Sequence, residues 1–249
     1  MKVALVTGAA SGIGRATARL FAKGGYGVVG ADRNRAGLAE TLAQVEHAVA
    51  VQGDVSIWPD AERMVGAAKE HFGRLDAVAC IAGIEIDHPV DQLAIEDWDA
   101  VVDTSLKGTY LVCRAAVPLL RASGGGAIVT TGSVLGRVAM PGVTAYSAAK
   151  AGMEALTRAM AIDYAREGIR ANCILPGLTD TPLVWQAVPQ DELEETRALA
   201  AAEVPLGRMA EPEEIGRVIV FLCSDGASFM TGTSVAVDGG ALARGSMNH

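Results

Sequence analysis

The clearest indication of the fold is a segment near the N-terminus, Val3-Ala4-Leu5-Val6-Thr7-Gly8-Ala9-Ala10-Ser11-Gly12-Ile13-Gly14. Its first five residues are apolar or β-branched without alternation, which predicts a strand that is buried on both faces, as in a parallel sheet. The three glycines permit a tight turn, and a helical pattern begins at Gly12. A strand, a glycine turn and a helix in this order are typical of the first unit of an α/β sheet, whose helix start offers free N–H groups to a phosphate.

Short apolar runs and longer helical patterns alternate along the rest of the chain. This alternation predicts a doubly wound α/β fold, with helices on both faces of a parallel sheet, as a single domain over residues 1–249. The predicted strands are Val3–Thr7, Val28–Ala31, Ala48–Gln52, Ala77–Ile81, Ala127–Thr131, Arg170–Leu175 and Ser234–Val237. The predicted helices are Gly12–Lys23, Arg35–Glu46, Trp58–Phe72, Asp97–Leu120, Thr144–Glu167 and Pro212–Cys223.

One segment, residues 178–205, breaks this rhythm. It carries Pro182, Pro189 and Pro205 around an acidic helical stretch, Asp191–Glu195. A long insertion after a late strand of such a sheet is where a substrate lid would lie. The alternative is a surface loop whose charges are solvated.

The composition favours a cytoplasmic protein that binds neither nucleic acid nor a membrane. The net charge is −8 and the isoelectric point is near 5.0, whereas both of those partners need a basic surface. No run approaches the ~18 apolar residues of a membrane span, and Thr7 and Gly8 end the N-terminal apolar run well short of a signal-peptide core. The four cysteines lie in apolar runs, which predicts reduced and buried thiols. The four histidines show no ligand spacing, so we expect no metal site.

Two carboxylates at predicted strand ends indicate where an adenosine could bind. Asp32 ends the second strand, and there it can accept hydrogen bonds from the ribose hydroxyls of NAD and repel the 2′-phosphate of NADP. Arg33 beside it could instead bind that phosphate, so NAD is favoured and NADP stays possible. Asp54 follows the third strand and can meet the adenine edge. Either aspartate could also simply form a turn.

Tyr146 and Lys150 carry the candidate chemistry. They stand four residues apart, which puts both side chains on one face of a helix. A phenol with its ordinary pKa of about 10 is a poor base near neutral pH, but a neighbouring ammonium favours the phenolate. Tyr146 could then exchange a proton with a substrate oxygen that Ser133, at the end of a predicted strand, also hydrogen-bonds. By itself the pair often occurs by chance, as an ordinary Tyr and Lys on a partly exposed helix.

Together these motifs resemble the short-chain dehydrogenase/reductase family, in its oxidoreductase group of about 250 residues. The resemblance runs from Val3 to Gly240. Each marker alone occurs by chance, whereas their joint order and spacing do not. The markers are Thr-Gly-x-x-x-Gly-Ile-Gly at Thr7–Gly14, Asp54, Ala82-Gly83, Ser133, Tyr146-x-x-x-Lys150, Pro176-Gly177 and the last strand with its flanks, Gly232–Gly240.

The resemblance implies a Rossmann-type domain with a seven-stranded parallel sheet and NAD or NADP across the carboxyl ends of the strands. Tyr146 would be the general acid/base, Lys150 would hold the nicotinamide ribose and lower the pKa of Tyr146, and Ser133 would position the substrate oxygen. A homo-oligomer, a tetramer, is implied in the same way. The residues implied to contact the cofactor are Gly8, Ser11, Gly12, Ile13, Gly14, Asp32, Arg33, Asp54, Val55, Ala82, Gly83, Tyr146, Lys150, Pro176, Gly177, Thr179 and Thr181.

The chain departs from the family pattern at two places. Cys80-Ile81-Ala82-Gly83 stands where Asn-Asn-Ala-Gly is common, so we expect altered hydrogen bonding in the sheet and intact cofactor binding. Ser105 takes the position of an Asn whose backbone carbonyl helps to relay protons to the active-site Lys and whose side chain supports a helix distortion. Since Ser can bond back to a helix carbonyl, we expect Ser105 to preserve a relay and the activity to be retained.

The predicted substrate pocket is mainly apolar. Glu85 and Asp87 add negative charge at its rim, which argues against a strongly anionic substrate. We therefore expect a neutral secondary alcohol, cyclic or medium-sized, interconverted with its ketone. Trp185 would either cap the substrate or pack the lid onto the body. The predicted lining residues are Ile84, Leu135, Met140, Val184 and Trp185.

Three alternatives remain open at this point. The first is an NADP-dependent reductase of carrier-bound 3-oxoacyl groups, which would show a basic patch and usually lacks a carboxylate at the Asp32 position. The second is an NAD-dependent epimerase or dehydratase, which usually carries a larger C-terminal substrate domain. The third is a non-catalytic NAD-binding regulator, against which Ser133, Tyr146 and Lys150 all argue.

Overall fold

The computed structural model describes residues 1–43, 45–186 and 188–244. Within these residues the strands are β1 (Val3–Thr7), β2 (Gly27–Asp32), β3 (Ala48–Gln52), β4 (Ala77–Cys80), β5 (Gly126–Thr131), β6 (Ile169–Pro176) and β7 (Ser234–Val237). The helices are α1 (Gly12–Lys23), α2 (Arg35–Leu42), α3 (Trp58–Phe72), α4 (Ile95–Val102), α5 (Gly108–Ala122), α6 (Thr144–Tyr164), α7 (Pro182–Trp185), α8 (Leu193–Glu203) and α9 (Pro212–Cys223).

The strands of the described residues form one seven-stranded parallel sheet in the order β3-β2-β1-β4-β5-β6-β7. The doubly wound α/β fold predicted from the sequence is therefore confirmed. β1 lies in the middle, and the chain proceeds from it outward in both directions, first through β2 and β3 and then through β4 to β7. The point where the direction reverses, between β1 and β4, leaves a crevice at the carboxyl ends of the strands, which is where such sheets bind ligands.

Apolar side chains on both faces of the sheet hold the helices in place. Val3 and Leu5 point to one face, where they belong to a buried cluster with residues of α3 and α5. Ala4 and Val6 point to the other face, which is covered by α1 and α9. Because every residue of β1 is fully buried or nearly so, the strand has no polar alternation, as its sequence indicates.

Two predicted helices differ from the observed ones. The helix expected over Arg35–Glu46 ends at Leu42, because the chain turns there to enter β3 and the Val45 N–H bonds the Leu42 carbonyl. The helix expected over Asp97–Leu120 begins earlier, at Ile95, and is interrupted by a π-helical turn at Asp103–Lys107. Such a turn is common at functional sites and is not visible in an apolar pattern.

Two other element ends also differ. The strand expected to end at Ile81 ends at Cys80, because the N–H groups of Ile81 and Ala82 bond the Thr7 hydroxyl at 3.0 and 3.2 Å instead of continuing the ladder. This side-chain link joins β1 to the loop after β4 where the family pattern has asparagines. The last turn of the helix expected over Thr144–Glu167 is a 3₁₀ turn, Ala165–Glu167, which Gly168 ends in the left-handed region.

Candidate active site

A single cleft at the carboxyl ends of the strands contains most of the predicted site. It runs from the loop after β1, past the ends of β2 and β3, to the loops after β4 and β5 and the start of α6. It brings together all the residues predicted to contact a cofactor, from the glycine loop to Thr181. Glu85, predicted at the rim of the pocket, also lines the cleft, together with residues that no motif indicated, among them Thr104, Thr131 and Leu183.

The glycine loop is so tight that its own backbone occupies the space that side chains at the glycine positions would need. Gly8 and Gly12 have φ of +69° and +47°, in the region that glycine adopts without strain. A Cβ on Gly14 would lie 1.9 Å from the Gly8 carbonyl oxygen, so no other residue fits there. The Ser11 side chain does not cap α1, which leaves the first N–H groups of this helix directed at the cleft. The loop therefore fits the pyrophosphate of a dinucleotide.

The carboxylate of Asp32 is held at the edge of the cleft by two backbone amides. The Ala10 N–H donates to Oδ2 at 3.1 Å, and the Asn34 N–H donates to Oδ1 at 2.9 Å. The carboxylate is thus fixed beside the glycine loop, where an adenosine ribose attached to a pyrophosphate would lie. Its turn-forming and ligand-binding interpretations are both compatible with this geometry, since each oxygen keeps a free lone pair.

Basic groups at this end of the cleft are already engaged by acidic ones. The Arg33 guanidinium lies 3.7 Å from the Asp54 carboxylate and stays mostly exposed. Arg15 on α1 pairs with Glu40 of α2 through two hydrogen bonds. Asp54 also accepts from the Ser56 N–H and hydroxyl, at 2.9 and 2.7 Å, so it forms a turn as well as lining the cleft.

Ser133 is placed by the end of β5 and a short turn. Its backbone is extended, and its hydroxyl accepts the Leu135 N–H at 3.1 Å as the cap of the 3₁₀ turn Val134–Gly136. The turn rests on α6 so closely that a Cβ on Gly136 would lie 2.9 Å from the Ala151 nitrogen. The side chain of Arg137 then pairs with Glu154 on α6, with Nη2 2.6 Å from Oε2. Ser133 is in this way held against the helix that carries Tyr146 and Lys150.

Lys150 is buried beneath the ring of Tyr146. Its Nζ donates to the Thr131 carbonyl at 2.7 Å and lies 5.3 Å from the Tyr146 ring centroid. Only 3% of Lys150 and 9% of Tyr146 is exposed, so both titrating groups lie in a medium that disfavours charge. Burial accordingly lowers the pKa of Lys150 to about 8, although Cys173 and Glu85 act in the other direction.

The pKa of Tyr146 differs from the expectation that Lys150 lowers it. In the chain alone burial raises this pKa well above the ordinary value, the negative charge of Glu85 raises it further, and only Ser133 acts in the lowering direction. Asp87 also raises this pKa, and Lys150 is not among the groups that lower it. The phenolate therefore needs help from a further positive charge at the site.

The π-helical turn brings Ser105 close to Lys150. A Cβ on Gly83 would lie 3.2 Å from the Ser105 Oγ and 3.4 Å from the Lys150 Nζ, so both polar atoms border the same small space. Ser105 is fully buried, and among the described residues its Oγ has no hydrogen-bond partner. The expected back-bond from Ser105 to a helix carbonyl is therefore not formed. Instead the Thr109 hydroxyl donates to the Ser105 carbonyl at 2.8 Å, and the helix distortion is present without an Asn side chain.

The predicted substrate residues separate into two groups. Ile84 and Val184 line the cleft, whereas Leu135, Met140 and Trp185 do not. Leu135 packs beside Tyr146 in a small core cluster, and Met140 is 59% exposed. The sequence pattern correctly identifies Leu135 and Met140 as apolar. The direction of their side chains depends on the turn after Ser133, which local periodicity does not specify.

Trp185 organises the segment predicted as a lid. Its indole N–H donates to Asp180 at 2.6 Å, the same carboxylate oxygen accepts Arg197 at 3.1 Å, and the Arg197 guanidinium lies 5.3 Å from the Trp185 ring centroid. This arrangement corresponds to the packing alternative for Trp185. The side chain of Gln186 reaches across the cleft and donates to the Glu85 carbonyl at 3.2 Å.

The described residues contain no group of three or more His, Cys, Asp or Glu side chains arranged to hold a metal ion. No helix among them is long and apolar enough to cross a bilayer. The four cysteines are buried and reduced, including Cys80 and Cys113, whose sulfur atoms lie 3.7 Å apart.

A family model described as enoyl-(acyl carrier protein) reductase matches residues 8–241 of this chain. The chain belongs to the short-chain dehydrogenase/reductase family. As a member of this family it is an oxidoreductase, and the resemblance inferred from the motifs is confirmed.

Curated members of the short-chain dehydrogenase/reductase family match nearly the full chain. The cis-4-hydroxycyclohexanecarboxylate dehydrogenase of Sinomonas cyclohexanicum is 44% identical, over 97% of this chain and 97% of that protein. The cyclohexanol dehydrogenase of an Acinetobacter species is 38% identical, over 96% and 94%. The 3-oxoacyl-[acyl-carrier-protein] reductase of Thermotoga maritima is 37% identical, over 97% and 98%.

Proposed function

We propose that this protein oxidises a neutral secondary alcohol, cyclic or medium-sized, to its ketone with NAD, and catalyses the reverse reduction. The observation that carries the proposal is the convergence of Ser133, Tyr146 and Lys150 in the cleft that also holds the glycine loop and Asp32. Two relatives named for the dehydrogenation of cyclohexane alcohols support a cyclic secondary alcohol as substrate. Only the cyclohexanol dehydrogenase is named for a neutral alcohol, since the name of the other includes a carboxylate.

Tyr146 acts as the general acid/base in this proposal. The substrate oxygen lies in the cleft and forms hydrogen bonds with the hydroxyl groups of both Ser133 and Tyr146. These bonds orient the carbinol carbon. During oxidation the Tyr146 oxygen takes the hydroxyl proton, and during reduction it returns a proton to the ketone oxygen. When bound, the oxidised nicotinamide supplies the hydride acceptor and the positive charge that the phenolate needs.

Lys150 has two roles that its position supports. Fixed by the Thr131 carbonyl, its ammonium lies under the Tyr146 ring and can bind a ribose hydroxyl at the same time. With its pKa lowered to about 8, it can also gain and lose a proton near neutral pH, as a proton relay requires. The buried Ser105 hydroxyl beside Gly83 is the next group in that relay.

Replacing Ser105 tests this part of the proposal. In the proposed relay the Ser105 hydroxyl hydrogen-bonds Lys150 only during proton transfer, and we expect Ser105→Ala to lower kcat for alcohol oxidation by about tenfold to a hundredfold, the value of one hydrogen bond to a charged group. Ser105→Asn should leave kcat within about threefold, because the backbone distortion is present with Ser. The matched control is Ser147→Ala, which removes another buried hydroxyl without a partner among the described residues, outside the cleft lining. An Asn variant faster by orders of magnitude would mean that the native relay is impaired.

NAD is the proposed cofactor, in preference to NADP. The Asp32 carboxylate, fixed by Ala10 and Asn34, would accept the ribose hydroxyls and repel a 2′-phosphate. Arg33 and Arg15 are paired with Asp54 and Glu40, so neither is free to bind that phosphate without losing an ion pair. The second candidate function is that of an NADP-dependent 3-oxoacyl reductase, because the relative from Thermotoga maritima is named as a 3-oxoacyl reductase.

A screen of substrates and cofactors tests the proposed function. The purified protein is assayed with NAD and with NADP against cyclohexanol, acyclic secondary alcohols and, in the reverse direction, a 3-oxoacyl thioester. We expect NADH formation from neutral secondary alcohols. A preference for NADPH together with faster reduction of the thioester would replace the proposal by the second candidate.

We also propose a cytoplasmic homotetramer. The reduced, buried cysteines suit the cytoplasm. The outer faces of α5 and α6 expose Tyr110 and Ile162, at 44% and 81%, and Phe221 on α9 is 46% exposed. Apolar side chains exposed on two separate faces suit two interfaces per subunit.

A further inference from the structure

Glu85 is the ionisable side chain of the cleft that the proposed chemistry leaves without a role. It follows Ile84 in the loop after β4 and lines the cleft together with Ser133, Tyr146 and Val184. The hydrogen bond from Gln186 to its carbonyl fixes the backbone at this point. Its carboxyl group lies near enough to the reacting end of the cleft for its negative charge to act in the raising direction on the pKa of both Tyr146 and Lys150.

The Glu85 carboxyl group has no ion-pair partner among the described residues. The nearest buried cation, Lys150, is engaged by the Thr131 carbonyl and the Tyr146 ring. Burial and, to a smaller extent, the charge of Asp87 together raise the pKa of Glu85 to about 7, against the opposing effect of Lys150. An unpaired acid at this position lowers the stability of the folded protein. Such a cost is expected when a group is retained because it binds a ligand.

We infer that Glu85 selects substrates that carry a second hydroxyl group near the reacting carbinol, and rejects substrates that carry a carboxylate. This inference rests on the proposed function. A carboxylate accepts a strong hydrogen bond from a hydroxyl, which would replace the water that Glu85 loses when the cleft fills. It repels a second carboxylate in the same poorly solvated space. An ammonium group would also satisfy Glu85, but it would have to approach the ammonium of Lys150.

Relative rates on matched cyclohexane alcohols test this inference. The wild-type protein is assayed with NAD on cyclohexanol, on cyclohexane-1,2-diol and cyclohexane-1,3-diol, on 2-aminocyclohexanol and on 4-hydroxycyclohexanecarboxylate. We expect kcat/KM for the better diol to exceed that for cyclohexanol, and Glu85→Ala to lower this ratio by about tenfold to a hundredfold. Glu85→Gln, which has the same shape without the charge, should raise kcat/KM for the carboxylate relative to cyclohexanol by about tenfold or more at pH 8.5, where the wild-type acid is ionised.

The control is Asp87→Asn, which removes a carboxylate two residues away that is exposed and outside the cleft lining. We expect it to leave both ratios within about twofold, and thermal melting establishes that every variant is folded. The inference would be overturned if the ratio of kcat/KM for the diol to kcat/KM for cyclohexanol were the same in wild type and Glu85→Ala. A wild-type preference for the amino alcohol or the carboxylate would also overturn it. If no alcohol yields NADH at all, the proposed function itself fails, whereas turnover of cyclohexanol without these preferences refutes Glu85 alone.

Discussion

Tyr146→Phe lowers kcat for alcohol oxidation by about a thousandfold, within the range that a positioned general base contributes. The variant keeps the ring that lies over the Lys150 ammonium and removes only the oxygen that exchanges the proton. NAD affinity should change by less than about threefold, because the glycine loop and Asp32 are untouched. Oxidation is followed as NADH absorbance, and binding by titration of each protein with NAD.

The wild-type rate should also rise with pH. Because burial and the charge of Glu85 raise the pKa of Tyr146, the base form is scarce near neutrality and becomes more populated as the pH increases. The residual rate of Tyr146→Phe should lack this rise. Tyr164→Phe is the control, since Tyr164 ends the same helix and packs on the core away from the cleft. A Tyr146→Phe variant with more than a tenth of the wild-type kcat would refute the role of Tyr146.

Asp32→Ser is expected to change the cofactor preference by about a hundredfold. In the proposed binding mode the wild-type carboxylate would accept hydrogen bonds from the ribose hydroxyls of NAD and repel the doubly charged phosphate of NADP at close range. Ser removes the repulsion and weakens the hydrogen bonding. The kcat/KM for NADP should therefore rise while that for NAD falls.

The comparison variant is Asp54→Asn, which removes a carboxylate from the part of the same cleft that follows β3. Because Asp54→Asn also releases Arg33 from its ion pair, we expect it to shift the preference toward NADP by less than about tenfold, well below the effect of Asp32→Ser. Initial rates at varied cofactor concentrations with one alcohol provide both numbers. An Asp32→Ser ratio that equals the wild-type ratio would show that Asp32 only forms the turn with Asn34.

Much of the fold follows from short-range sequence patterns. The strands β1, β3 and β7 and the helices α1, α3 and α9 have the predicted bounds, because each is framed by residues whose local preference and burial agree. The π-helical turn at Asp103–Lys107 was not predictable from periodicity, since it depends on the packing of the helix around Ser105 and Gly108. The positions of the glycine loop and of Tyr146 were predictable from motifs, and the structure brings them into one cleft.

The remaining parts of the site depend on tertiary contacts. From the sequence, Trp185 could either cap the substrate or pack the lid. In the structure, Asp180 and Arg197 hold it within the lid. The raised pKa of Tyr146 results from burial that no spacing reveals. Glu85 appears as a rim charge in sequence, and only the fold shows that it lines the cleft beside Tyr146.

The most direct test of the central claim is NADH formation by the wild-type protein and by Tyr146→Phe on a panel of neutral secondary alcohols that includes cyclohexanol and the cyclohexanediols. We expect at least one alcohol to yield NADH with the wild type and this activity to be lost in the variant, which still binds NAD. Absence of NADH across the whole panel with protein that binds NAD, or equal rates in wild type and variant, would contradict it.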